Sequence, residues 1–142
     1  MNDIIVIGHN IFALLYIFGS HFLFVMTHYT PGLHLLATFK SDSYLLSHTV
    51  GCKEVFDALI VSLALTKTGE VYHTFDNGGF TASVCLTESH VSIHTWPEYN
   101  LATFDVFLSN FRNDNSDKVR HFYEETIQYF RAEVLTLHEI IR

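Results

Sequence analysis

Apolar and polar residues alternate along most of the chain after residue 32, with the two-residue period of half-buried β-strands. Turn-forming residues separate these segments, most clearly Asp76-Asn77-Gly78-Gly79 and Pro97-Glu98-Tyr99-Asn100. Such short connections favour antiparallel pairing of consecutive strands. The pattern predicts strands over residues 33–39, 71–75, 80–87, 91–96, 101–109 and 133–141.

Two segments have the period of an amphipathic helix instead. The first is predicted over residues 53–67, with Gly69 as its stop signal. Its apolar face is Val55, Leu59, Ile60 and Leu63. The second is predicted from Asp117 to about Arg131, after the capping residues of 113–116. Its apolar face is Val119, Phe122, Tyr123, Ile127 and Phe130.

These elements predict an α+β two-layer sandwich, in which two helices cover one face of a mainly antiparallel sheet. The break at Thr30-Pro31-Gly32 indicates that this domain comprises residues 31–142. The opposite face of an apolar sheet would be left bare, so we expect a homodimer formed through the sheets.

Residues 1–30 form an apolar extension of unknown role. The stretch 4–26 is long enough for a bilayer span, which takes about 20 residues. However, His9, Asn10 and His21 are costly in a membrane, and no Lys or Arg precedes Lys40. The alternatives are a membrane tether, an amphipathic or buried accessory helix, and an extension from an upstream start codon.

Composition narrows the function classes. The 142 residues fit one domain, and 13 Phe and 7 Tyr provide a substantial core. A net charge of −7 with eight scattered basic residues argues against nucleic-acid binding. Cys52 and Cys85 are too few for a disulfide scaffold and predict reduced thiols in a cytoplasmic protein, with Cys85 in the core.

Chemically reactive side chains are concentrated in residues 88–99, which contain two serines, two histidines, a tryptophan and two carboxylates. His90 and His94 would lie roughly 13 Å apart on a strand, too far to share one ion, so we expect no metal site. Ser89 and His94 would face opposite sides of a straight strand. We expect the hairpin between strands 80–87 and 91–96 to bring those two residues together.

The turn at 97–100 also sets a register. If it is symmetric, Trp96 faces Leu101, and paired positions of the two strands sum to 197. Position 109 then lies opposite Glu88, so Ser109 should be close to Ser89.

The run Glu88-Ser89-His90-Val91-Ser92-Ile93-His94-Thr95-Trp96-Pro97-Glu98 closely resembles the self-cleavage site of the prokaryotic-type S-adenosylmethionine decarboxylases. The resemblance extends from about Gly32 to Ser109 and more weakly to the last helix and strand. It implies cleavage between Glu88 and Ser89 and conversion of Ser89 to a pyruvoyl group. That cofactor would form a Schiff base with S-adenosylmethionine, in spermidine biosynthesis, within a homodimer of processed protomers.

The resemblance also implies roles for individual residues. His94 would be an acid or base in processing, and Thr81, where the family usually has serine, would assist processing or orientation. Glu98 would bind the ribose hydroxyls, and Phe75 and Trp96 would lie around the adenine.

Ser109 departs from the family pattern, because it stands where relatives carry the cysteine that returns a proton to the substrate. An alkyl hydroxyl is a far weaker acid than a thiol of pKa about 8.5. Asn77 likewise replaces a proline of the family. The alternatives are therefore a pyruvoyl decarboxylase for an amino acid such as arginine or ornithine, or a weakly active or inactive regulatory paralogue.

Overall fold

The computed structural model describes residues 12–18, 21–27, 29–110 and 113–142. It divides the chain into two compact units, Met1–Thr30 and Pro31–Arg142. In the first unit, β1 (Phe12–Phe18) and β2 (His21–Thr27) pair antiparallel, with Phe12 opposite Thr27. The helical interpretations of this segment are therefore wrong for these residues, whose many aromatic and β-branched side chains are typical of strands. No helix among the described residues combines the length and apolarity needed to cross a membrane.

The second unit contains a six-stranded sheet in which all neighbouring strands are antiparallel. Its strands are β3 (Leu33–Lys40), β4 (Lys67–Thr74), β5 (Phe80–Leu86), β6 (Ser89–Trp96), β7 (Leu101–Leu108) and β8 (Glu133–Ile141). The spatial order is β4-β5-β6-β7-β3-β8, so β3 is inserted between β7 and β8. All six predicted strands are present, although β4 and β6 begin earlier than predicted.

The helices are α1 (Ser43–Leu46), α2 (Thr49–Ser62) and α3 (Ser116–Phe130), with a 3-10 helix at Pro97–Tyr99. The bounds predicted for α2 are wrong, because it begins four residues earlier and ends before Leu63. The end is set by Ala64, which adopts a left-handed conformation with φ 51° and donates to the carbonyl of Val61. Gly69 lies inside β4 rather than at a helix end.

One face of the sheet packs against the helices and forms the core. The rings of Phe56 on α2 and Phe122 on α3 have centroids 5.3 Å apart, and both rings contact Phe104 of β7. The core positions of the central strands alternate as predicted: Leu33, Leu35, Ala37, Phe39, Phe80, Ala82, Val84, Leu86, Val91, Ile93, Ala102, Phe104, Val106 and Leu108. The two-layer α+β architecture is confirmed.

The opposite side of the sheet, which we call the open face, carries the intervening residues. His90, Ser92, His94 and Trp96 of β6 lie on this face, between the buried positions 91, 93 and 95. Cys85 is exposed and pairs with His90, so its prediction as a core residue is wrong. Alternation along β5 places residues 80, 82, 84 and 86 in the core, and it therefore places residue 85 on the open face.

Candidate functional site

The register between β6 and β7 places Ser109 next to Glu88. Trp96 pairs with Leu101 and Ser89 with Leu108, so paired positions sum to 197 as predicted. Beyond the last pair, the backbone N–H of Ser109 donates to the Glu88 carbonyl oxygen at 3.0 Å. The carbonyl that precedes Ser89 is thus polarised by a backbone donor from the neighbouring strand.

Ser89 begins β6, and its hydroxyl lies within hydrogen-bond distance of the next side chain. Ser89 Oγ is 3.0 Å from Nδ1 of His90. The φ angle of Ser89 is 158°, close to fully extended backbone. We call Glu88, Ser89, His90 and Ser109 the serine group.

Asp105 of β7 links the serine group to other strands of the open face. Its Oδ2 atom is 3.3 Å from Nε2 of His90 and 3.3 Å from Nε2 of His34 on β3. Its Oδ1 atom accepts a hydrogen bond from the hydroxyl of Ser92. The carboxylate of Asp105 therefore contacts three side chains of the open face, namely His34, His90 and Ser92.

Burial lowers the pKa of His34, while its hydrogen bond with Asp105 opposes that shift. The ligand atoms of His34, His90 and Asp105 all lie within 4.8 Å of one another. Although these residue types can bind a divalent ion, each is already engaged in hydrogen bonding. We therefore describe them as a hydrogen-bonded network. His90 and His94 lie four residues apart on the same strand, β6.

A second set of predicted site residues lies at the other end of β6. Thr81 of β5 pairs with His94, and Thr81 Oγ1 is 2.9 Å from Nδ1 of His94. The ring of His94 lies against Trp96, with centroids 6.3 Å apart. We call Phe75, Thr81, His94, Trp96 and Glu98 the aromatic group.

Glu98 and Phe75 belong to this group through the turns at the same edge of the sheet. Both carboxylate oxygens of Glu98 accept from Nδ2 of Asn77 at 3.2 Å, and Oδ1 of Asn77 accepts from the N–H of Gly79. Phe75 is 47% exposed, with its ring edge-to-face against His73 at 4.7 Å. The aromatic group thus presents a carboxylate, two partly exposed rings and an imidazole.

The hairpin does not bring Ser89 and His94 together, so that expectation is wrong. The β5–β6 connection precedes Ser89, and the strand runs straight on to His94. Five residues of strand span roughly 16 Å. The two groups are therefore separate within one chain.

A cavity of about 600 Å³ lies beside the serine group. Its lining residues are Ala64, Thr87, Glu88, Ser109, Asn113, Asn115 and Lys118. Asn115 donates from Nδ2 to the Ser109 carbonyl oxygen at 2.8 Å, which fixes the backbone of residue 109. The scissile peptide predicted from the sequence thus lies next to a space that connects it to the start of α3.

Sequence reasoning missed three residues of these networks: His34, Asp105 and Asn77. His34 and Asp105 are 71 residues apart, and only the insertion of β3 beside β7 joins them. A polar residue at an otherwise apolar strand centre was the available signal for Asp105. Asn77 was noted only as a departure from proline.

The chain was compared with known proteins. Residues 33–142 match the family described as S-adenosylmethionine decarboxylase. The chain is 32% identical over 103 residues to the S-adenosylmethionine decarboxylase proenzyme of Archaeoglobus fulgidus, covering 72% of this chain and 88% of that protein. It is 40% identical over 79 residues to the proenzyme of Aquifex aeolicus, covering 55% of this chain and 58% of that protein.

Structural similarity agrees with these matches. The crystal structure of the adenosylmethionine decarboxylase from Aquifex aeolicus VF5 superposes with a TM-score of 0.66 at 29% sequence identity. The superposition covers 80% of this chain and 90% of that chain. The resemblance identified in residues 88–98 is confirmed: the chain belongs to the S-adenosylmethionine decarboxylase family.

Proposed function

We propose that the chain is a proenzyme that cleaves itself between Glu88 and Ser89 and then decarboxylates S-adenosylmethionine. The observation that carries this proposal is the hydrogen bond from the Ser109 N–H to the Glu88 carbonyl oxygen. It places a donor on the carbonyl that the hydroxyl of Ser89 would attack. Negative charge develops on that oxygen during the attack, and such a donor stabilises it.

Self-cleavage requires the movement of two different protons. The first leaves the Ser89 hydroxyl when its oxygen attacks the Glu88 carbonyl and the peptide becomes an ester. The second leaves the α-carbon of residue 89 when the ester is eliminated. We assign the second proton to His94, whose imidazole is held by Thr81.

A homodimer would bring His94 within reach of Ser89. Within one chain the two residues are roughly 16 Å apart along β6. In a two-fold dimer, every contact between a surface of the first copy and a different surface of the second copy is repeated with the two copies exchanged. Packing of two open faces could therefore place the aromatic group of one copy against the serine group of the other, twice per dimer.

Exposed apolar side chains support such a dimer. On the open face they include Val71 of β4, which pairs with Ser83, and Ile140 of β8, which pairs with His34. Exposed apolar surface of this kind favours association.

The aromatic group has the chemistry expected for a nucleoside with a sulfonium centre. Glu98 offers two carboxylate oxygens to vicinal hydroxyls, and Asn77 holds that carboxylate in place. The partly exposed rings of Phe75 and Trp96 suit a flat base and a cation. A free arginine or ornithine has no ribose for Glu98, so we favour S-adenosylmethionine over an amino acid.

A pyruvoyl group at residue 89 would supply a carbonyl that accepts the electrons released when a carboxylate departs. Ser89 fits the formation of this group, because its hydroxyl has a neighbouring imidazole and its preceding carbonyl has a donor. Residue 109 is positioned beside it, but with a hydroxyl in place of a thiol. This substitution favours slow turnover and supports, as a second candidate, a regulatory paralogue that is processed but nearly inactive.

Intact mass measurement tests self-cleavage. The purified full-length protein is incubated and then measured with and without borohydride and S-adenosylmethionine. We expect two fragments divided between residues 88 and 89, with a reducible carbonyl on the second. A single unbroken chain after long incubation would contradict the proposal.

Turnover and dimerisation are tested separately. Release of labelled CO2 is compared for S-adenosylmethionine, arginine and ornithine, and release from an amino acid alone would reject the assigned substrate. Cleavage without release from any of them would favour the regulatory paralogue.

Mixing Ser89→Ala with His94→Ala tests the shared site. If His94 acts across the dimer, chains that retain Ser89 are cleaved only in the mixture. Cleavage of isolated His94→Ala at the wild-type rate would reject the role of His94.

A further inference from the structure

Hydrogen-bonding atoms connect Ser89 of the serine group, through His90, to the carboxylate of Asp105. We propose that His90, positioned by Asp105, is the general base that takes the hydroxyl proton of Ser89 in the first step of self-cleavage. This inference rests on the proposed self-cleavage and assigns a step to residues other than His94.

The distances support this assignment. Ser89 Oγ lies 3.0 Å from Nδ1 of His90, and the other ring nitrogen, Nε2, lies 3.3 Å from Asp105 Oδ2. A nucleophile within reach of an imidazole, which is itself oriented by a third group, is the recurring arrangement for activating a hydroxyl. It requires the tautomer with the proton on Nε2, and the carboxylate of Asp105 favours that tautomer by accepting a hydrogen bond from Nε2–H.

Asp105 is itself held in place. It accepts from Ser92 through Oδ1 and contacts Nε2 of His34 through Oδ2. Its side chain is 26% exposed, so the carboxylate is only partly screened by water when the imidazole becomes charged. Asp105 is therefore a positioning residue that stabilises the imidazolium of His90.

The surroundings of the His90 ring are mostly apolar or neutral. Phe107 of β7 pairs with His90, and their rings have centroids 6.3 Å apart. Cys85 of β5 pairs with it on the other side. Among the described residues, the charged or titratable neighbours are the Cys85 thiol, His34, Asp105 and, over the Phe107 ring, Arg142.

The step balances without any co-reactant. The O–H bond of Ser89 breaks, and its proton moves to Nδ1 of His90. The Ser89 oxygen bonds to the Glu88 carbonyl carbon, and the Glu88–Ser89 C–N bond breaks. The departing nitrogen takes the proton back from the imidazolium, which leaves an ester and a free amine. Since Ser109 donates to the carbonyl oxygen, its backbone would hold the charge that develops during attack.

Hydroxylamine distinguishes this step from the later one, because under mild conditions it cleaves an ester between residues 88 and 89. Its slower attack on the Asn77-Gly78 peptide gives fragments of different mass. His90→Ala should slow ester formation by about 100- to 10,000-fold, the usual contribution of a general base. The bond between residues 88 and 89 should then remain resistant to hydroxylamine. His94→Ala should instead accumulate hydroxylamine-sensitive chain, because the ester forms but is not eliminated.

Imidazole added to His90→Ala should restore ester formation, which a purely structural role would not predict. His90→Gln is measured beside it, because its side chain fills more of the space of the lost ring without acting as a base. His121→Ala removes an exposed histidine of α3, away from the open face, and is the matched control, with wild-type processing expected.

Asp105→Asn should slow ester formation less than His90→Ala does. The double variant should be no slower than His90→Ala alone, since the two residues act as a unit. Wild-type cleavage together with full-rate cleavage of His90→Ala and His90→Gln would overturn this inference while leaving self-cleavage intact. Wild-type protein that never cleaves would instead overturn the proposed function itself.

Discussion

Thr95→Val should destabilise the protein, because Thr95 uses its hydroxyl to join three segments around β6. The residue is 4% exposed. Its Oγ1 accepts from the Phe80 N–H at 2.8 Å and donates to the Leu46 carbonyl oxygen at 2.8 Å. Valine keeps the shape of threonine but cannot make either hydrogen bond. The Phe80 N–H and the Leu46 carbonyl oxygen, both buried, therefore lose the Thr95 hydroxyl as a partner.

The magnitude follows from those two groups. An unsatisfied buried backbone group costs about 1–3 kcal/mol, so two cost about 2–6 kcal/mol. The added methyl group of valine offsets part of this by apolar burial, and we therefore expect a loss of about 2–4 kcal/mol. That is a large share of the about 5–15 kcal/mol typical of a folded protein.

Urea denaturation at one fixed protein concentration measures this loss, because association changes apparent stability. Thr38→Val on β3 is the matched control: the same atoms change at a half-buried position of the open face. For Thr38→Val we expect the free energy of unfolding to change by no more than about 0.5 kcal/mol. Equal midpoints for the Thr95→Val and Thr38→Val variants would refute the reasoning that the Thr95 hydroxyl satisfies buried backbone groups.

Two further predictions concern turnover and acid stability. Ser109→Cys should raise the rate of CO2 release by about 100- to 10,000-fold over wild type. Ser109→Ala should not raise this rate, and equal rates for the two variants would reject a proton-donating role at this position. Hydrogen bonds from Lys67 and Lys53 hold the pKa values of Asp57 and Glu70 below their ordinary values of 3.8 and 4.5. Because these pKa values are lower in the folded state, the stabilisation is complete above about pH 4.5 and is lost as the pH falls further. Lys67→Met should therefore lower the free energy of unfolding by at most about 1 kcal/mol at pH 7, since the ion pairs are partly exposed. Measured by urea denaturation, this difference from wild type should shrink toward zero near pH 2. A difference that stays constant with pH would contradict the prediction.

The sheet was predictable from the sequence where one face is buried and the turns are short. Alternation along β5, β6 and β7 specifies which residues face the helices, because a shift of one residue would expose the whole apolar set. The symmetric turn at 97–100 then sets the pairing of β6 with β7. That is why the sequence alone predicts the position of Ser109 beside Glu88.

The end of α2 and the position of β3 could not be predicted in the same way. Ala64 ends α2 in a left-handed conformation that alanine rarely adopts, so no residue type marked the end. β3 pairs with both β7 and β8, and neither pairing is joined by a short turn. The contact of His34 with Asp105 depends on that insertion, and local pattern carries no information about it.

Distance along a strand and distance across a sheet explain why the site prediction succeeded only in part. Ser89 and His94 are five residues apart in sequence yet roughly 16 Å apart on β6, since a strand rises about 3.3 Å per residue. His34 and Asp105 are 71 residues apart yet within 3.3 Å, because neighbouring strands lie about 4.8 Å apart. The groups that can act on Ser89 within its own chain are therefore those beside it: His90, which follows it on β6 and contacts Asp105, and Ser109, which hydrogen-bonds to the Glu88 carbonyl. If His94 acts on Ser89 as proposed, it does so from a second copy, so loss of dimerisation should stop the elimination step while leaving ester formation intact.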